Sequence, residues 1–142
     1  MDSKKNRSSF QFSNPSTKEA VFVVNPKYKG TLSNVKSQDF VVKTKVEKPS
    51  DMTEDLRTAR VFVTVTNTED DFLKETTPFL LRVTMSAKFQ WAKAGIEQGK
   101  EQTFLKVNGA SLIMSYIRPI ITQLTEQADV QTQYLPFLNF TK

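Results

Sequence analysis

With no histidine and no cysteine in 142 residues, the chain lacks the side chains that most often act as general base near neutral pH, thiol nucleophile or imidazole metal ligand. Carboxylates, hydroxyls and amines are left to carry any reaction. The densest acidic group, Glu69-Asp70-Asp71, is contiguous and lacks the alternating ligand spacing of a calcium loop, so it reads as a solvated turn. Ser115 has no lysine at a recognisable dyad spacing. The glycine contexts Lys93-Ala-Gly-Ile and Val107-Asn-Gly-Ala match neither a P-loop nor a dinucleotide fingerprint. The expectation is a protein that is not an enzyme, with no metal and no cofactor. What the chain has in quantity is adaptable apolar surface: Phe79, Met85, Phe89, Trp91, Phe104, Met114, Tyr134, Phe137 and Phe140. Methionine and aromatic side chains accommodate varied apolar partners, although each of these residues could equally serve as core.

The elements that must position this surface follow from periodicity. Residues 1–9 are polar and aperiodic and are expected to be a disordered terminus, with one domain over 10–142. A first strand spans Phe10 to Asn25, with an interruption at Asn14-Pro15-Ser16. Pro26 to Asn34 reads as a loop. A second strand runs from Phe40 to Val46, with Phe40, Val42 and Val46 facing one way and Val41, Lys43 and Lys45 the other. Glu47 to Glu54 reads as a connection. A third strand follows from Arg57 to Thr66, with Val61, Val63 and Val65 on one side. After the acidic turn comes the clearest strand, Phe79 to Trp91, in which one parity is apolar and the other almost wholly polar.

Four strands with short connections imply an antiparallel sheet with one covered and one wet face. The cover is predicted to be a helix over about Gln102 to Gln127, carrying Ile113, Ile117, Ile120 and Leu124 at helical steps, widened by Leu112, Met114, Tyr116 and Ile121. The fold class is therefore α+β. A stripe this wide implies a second buried contact, which we assign to a subunit partner. Pro119 predicts a kink or break. The apolar tail from Tyr134 to Phe140 is expected to pack on the body in extended form.

The formal net charge is +5, with the basic excess in residues 1–50 and an acidic excess in 51–75. A solvated lysine-rich surface is the simplest reading. The first residues include no apolar stretch of a secretory signal, and no apolar run reaches the roughly 18 to 20 residues of a membrane span, so membrane insertion is not expected. The absence of cysteine fits a cytoplasmic location.

Ala110-Ser-Leu-Ile-Met-Ser-Tyr-Ile-Arg-Pro-Ile-Ile-Thr-Gln-Leu124 followed by Leu135-Pro-Phe-Leu-Asn-Phe140 resembles the long helix and following segment of the SecB export-chaperone family, with Tyr116, Arg118, Ile121, Thr122, Asn139 and Phe140 at matching positions. Ser9-Phe-Gln-Phe, Ser16-Thr-Lys-Glu and Phe79-Leu-Leu-Arg-Val-Thr-Met resemble its first and last strands, and Ala94-Gly-Ile-Glu97 its link from sheet to helix. The chain departs from that family in its basic charge, and it is expected to lack the family's second C-terminal helix and acidic tail. The resemblance implies a four-stranded antiparallel sheet under a long helix, a homotetramer built as a dimer of dimers (a dimer next), and a groove for unfolded or preprotein polypeptides. By position, Phe79, Leu81, Val83, Met85, Leu112 and Tyr116 are groove candidates, and Ile113, Ile117, Ile120, Ile121 and Leu124 are interface candidates. The implied function is a chaperone or holdase; the alternative is an interaction module with one dedicated partner, for example an antitoxin. Single-stranded nucleic-acid binding by the wet face is a lesser alternative, weakened by the scarcity of aromatics there. Docking of the basic tail of the motor SecA is not expected, because the sheet presents Lys18, Lys43, Lys45 and Arg82 and charges of one sign repel.

Overall fold

A computed structural model describes residues 10–69 and 74–136. The readings of residues 1–9 as disordered, of Asp70 and Asp71 as part of the turn, and of the tail beyond Pro136 lie outside the described residues. The elements are strands β1 (Phe10–Phe12), β2 (Ser16–Val24), β3 (Val41–Val46), β4 (Ser50–Asp51), β5 (Leu56–Thr66) and β6 (Phe79–Ala92). They are followed by helix α1 (Glu101–Phe104), a π-helical turn (Leu105–Gly109) and helix α2 (Ala110–Glu126).

The sheet is antiparallel and has six strands rather than the expected four. The difference lies at two prolines. Pro15 separates β1 from β2, which both pair with β6, and Pro49 separates β3 from β4, which both pair with β5. Proline cannot donate to a ladder, so each edge strand is interrupted where it occurs. Ser50–Asp51, expected within a connection, is the resumed second strand. Laterally, β1 and β2 lie against β6, β6 against β5, and β5 against β3 and β4. The first strand is thus beside the last, and residues 25–40 must cross from one edge of the sheet to the other. That crossover is tied down by Asn25, whose side-chain amide donates to the carbonyls of Lys74 (2.8 Å) and Thr77 (2.7 Å). It also contributes Val35 to the core.

The parity read from the sequence holds in the two central strands. Val61, Val63 and Val65 of β5 stand opposite Ala87, Met85 and Val83 of β6, and all six are buried on one face. Full burial of such a side chain stabilises by roughly 1.5 to 3 kcal/mol, so the strip is a main source of cohesion. Helix α2 lies over it with Ile113, Met114, Ile117 and Ile121 buried. At Gly109, in the turn that leads into α2, a β-carbon would stand 3.4 Å from both Phe89 Cζ and Val61 Cγ2. The absence of a side chain there lets the helix settle onto the sheet.

Pro119 does not break the helix, which is continuous from Ala110 to Glu126. Both Pro119 and Ser115, whose carbonyl loses its usual donor, are exposed, so water can satisfy that carbonyl and the ring displaces no core atom. Among the described residues no helix is long and apolar enough to cross a membrane.

Candidate polypeptide-binding site

The start of the helix is fixed by a charged clamp. Arg57 occupies the core parity of β5, directly opposite Trp91 of β6. The Glu101 carboxylate, at the first position of α1 and 2% exposed, receives three hydrogen bonds: Arg57 Nε to Oε2 (2.9 Å), Arg57 Nη2 to Oε1 (2.9 Å) and Trp91 Nε1 to Oε2 (2.7 Å). The remaining Arg57 nitrogen, Nη1, donates to Asp51 Oδ1 at 2.8 Å, and Lys93 Nζ approaches Asp51 Oδ2 at 3.3 Å. A fork-to-fork pair of this kind fixes orientation as well as position. The guanidinium beside it and the indole N–H hold the Glu101 carboxyl below its ordinary range, against the opposing effect of burial. Arg57 and Lys93 likewise lower Asp51, and Glu101 with Asp51 keeps Arg57 protonated. Beside the clamp, Phe10 of β1 meets Phe104 edge-on, with ring centroids 4.8 Å apart.

The end of the helix is fixed by the chain that follows it. Gln133 is buried; its N–H donates to Thr125 Oγ1 (2.8 Å) and its Oε1 accepts from the backbone N–H of Gln38 in the crossover (2.8 Å). Thr122 Oγ1 donates to the Gln133 carbonyl (3.2 Å), and Arg118 Nε to the Leu135 carbonyl (3.0 Å). Residues 130–136 therefore form a strap along one flank of α2, with Val130 and Leu135 buried beneath it.

At 3.6 residues per turn, the opposite flank carries Leu112, Tyr116, Ile120 and Leu124, each one turn from the next. Leu112, Ile120 and Leu124 are half-buried and Tyr116 is 38% exposed. The wide apolar stripe seen in the sequence thus has two parts, a face on the sheet and an open flank, while the strap lies along the polar flank of Arg118, Thr122 and Thr125. Ile113, Ile117 and Ile121 lie in the core, whereas Ile120 and Leu124 lie on the open flank. Of the groove candidates, Phe79, Leu81, Val83 and Met85 are buried between sheet and helix, and Leu112 and Tyr116 lie on the open flank. Further exposed apolar residues line the outer edge of the sheet: Phe12 on β1, and Val23 and Val24 on β2. Among the described residues no group of acidic side chains is placed to hold a metal ion.

The chain aligns in three dimensions with a Mycobacterium tuberculosis SecB-like chaperone in complex with a ChAD peptide from the HigA1 antitoxin. The match has a TM-score of 0.56 and 12% identity over 92% of this chain and 88% of that one. The fold is SecB-like. A Streptococcus agalactiae protein of unknown function is also similar, with a TM-score of 0.53 and 11% identity over 90% of this chain and 97% of that one. No protein-family profile and no curated protein sequence matches. Within the SecB-like fold, sequence reasoning missed the clamp and the strap contacts. The signal for the clamp was Arg57 at the parity of Val61, Val63 and Val65, since a charge on a core face requires a buried counterion.

Proposed function

We propose that this protein is a non-catalytic SecB-like chaperone of the cytoplasm that holds exposed apolar segments of other polypeptides, unfolded clients or preproteins among them. The supporting observation is the open flank of α2, where Tyr116 is exposed beside the half-buried Leu112. Phe79, Leu81, Val83 and Met85 support that flank from behind, through the buried face of the helix. Apolar burial is non-directional and tolerates many client sequences. A dedicated single partner is the second reading, favoured by the antitoxin peptide bound to the mycobacterial neighbour.

An unfolded, slowly refolding protein is expected to be kept soluble by an equimolar amount of the oligomer, with refolding delayed. Light scattering and recovery of native fluorescence would report this. A full aggregation signal and an unaltered refolding rate would remove general holding and leave the dedicated partner.

The same flank, at Ile120 and Leu124, supports self-association, and a homotetramer is the proposed state, with a dimer next. Because Ile120 is only half-buried, Ile120→Asp is expected to lower the oligomer mass while leaving the circular dichroism of the fold intact. Light scattering coupled to gel filtration measures the mass, and a wild-type monomer near 16.2 kDa would refute the assembly.

A further inference from the structure

The face of the sheet away from the helix has no cover among the described residues, and its side chains follow from the strand register. Across the four lateral positions, Lys45 lies beside Phe62, Phe62 beside Ser86, and Ser86 beside Ser16. One step along the strands, Arg60 of β5 stands directly opposite Lys88 of β6. Like charges directly opposed in an antiparallel pair destabilise it, and this pair is on the two central strands, where β-sheet stability is most sensitive to its neighbours. Arg60 Nη1 turns to Ser86 Oγ at 3.3 Å, and neither Lys45 nor Lys88 has a carboxylate in ion-pair range among the described residues. Lys88 forms a ridge between two shallow clefts, one of about 260 Å³ with Ser13 and Gln90, the other of about 120 Å³ in which Arg60 and Lys48 outnumber the single carboxylate, Glu47.

We propose that this open sheet face docks an acidic polypeptide segment, whose carboxylates settle between Arg60 and Lys88 and along Lys45, with an apolar residue over Phe62. Charge complementarity selects the partner. The face already receives carboxylates at its rim, where Glu69 meets Lys43 at 2.9 Å and Glu19 approaches Arg82 at 3.9 Å. A nucleic-acid strand fits less well: Phe62 is the one aromatic among the paired residues of this face, too little for a base-stacking platform. This docking uses the face opposite the open flank of α2, so it is separate from client holding.

The test is fluorescence anisotropy with the full chain and a short fluorescein-labelled peptide of glutamates with a central leucine. Its glutamine counterpart and an oligouridine serve as comparisons. Binding of the acidic peptide is expected in the micromolar range, weakening with salt, and at least tenfold weaker in the Lys88→Glu variant. The same substitution converts the opposed cations into an ion pair, so Tm is expected to rise by roughly 1 to 3 °C. A variant more stable yet weaker in binding is the result that supports the proposal. It is overturned by absence of peptide binding, by equal binding of the glutamine peptide, by unchanged affinity or a lowered Tm in Lys88→Glu, or by tighter binding of oligouridine.

Discussion

Replacing Glu101 with alanine is expected to lower unfolding free energy by roughly 3 kcal/mol at neutral pH, the lower end for removing one partner of a buried pair. The lower end applies because Arg57 retains Asp51 and has 14% of its side chain exposed. The loss has two parts: a guanidinium left with two unsatisfied N–H groups beneath the helix, and an indole N–H of Trp91 left without its acceptor. Glu101→Gln separates charge from shape, since its amide oxygen can still accept from one donor. The carboxyl in the folded chain titrates below the ordinary glutamate value of 4.5, so its stabilising contribution is fully present above that pH and disappears as the pH falls through the folded value. Wild-type stability should therefore drop below about pH 4.5, and Glu101→Gln, which has no proton to gain, should show a shallower drop. Urea unfolding from pH 7 to pH 3 measures both effects. Parallel acid limbs in the two proteins would show that the clamp is not what acid breaks.

The sheet was legible because its central strands alternate so strictly. Residues 79 to 91 allow only one assignment of faces, and Val61, Val63 and Val65 lock onto that face across the register. The helix was legible from isoleucines at helical steps, though periodicity alone could not divide its stripe. Ile117 and Ile120 look equivalent in sequence, yet one is in the core and the other half-buried on the flank away from the strap, a division that no local pattern announces. The strap contacts are long-range hydrogen bonds, such as Gln38 to Gln133, and leave no periodic trace. The prolines were visible, but their consequence depends on surroundings: Pro15 and Pro49 interrupt edge strands, while Pro119 is accommodated at the exposed side of a helix. The same ambiguity touched the groove, since Phe79, Leu81, Val83 and Met85 carry one apolar signal whether they face a client or a helix.

Gln133 offers the sharpest test of the strap. Its side chain is 1% exposed and works at both ends, accepting from the Gln38 N–H through Oε1 and donating from Nε2 to the Gln131 carbonyl at 2.9 Å. Gln133→Ala removes both bonds, leaves the Gln38 N–H with no acceptor in a partly buried site, and opens a void beneath the strap. Together these are expected to cost roughly 2 to 3 kcal/mol. Gln133→Met refills most of the volume without restoring an acceptor, so it should recover the packing part and leave the hydrogen-bond part, about 1 kcal/mol or more. Amide exchange localises the effect: the Gln38 N–H should exchange faster in both variants, and amides of β5 and β6 only in proportion to the loss of global stability. If Gln133→Met matches the wild type in urea and in Gln38 exchange, the strap is held by the burial of Val130 and Leu135 alone. The crossover and the helix end would then be coupled through packing and not through this side chain.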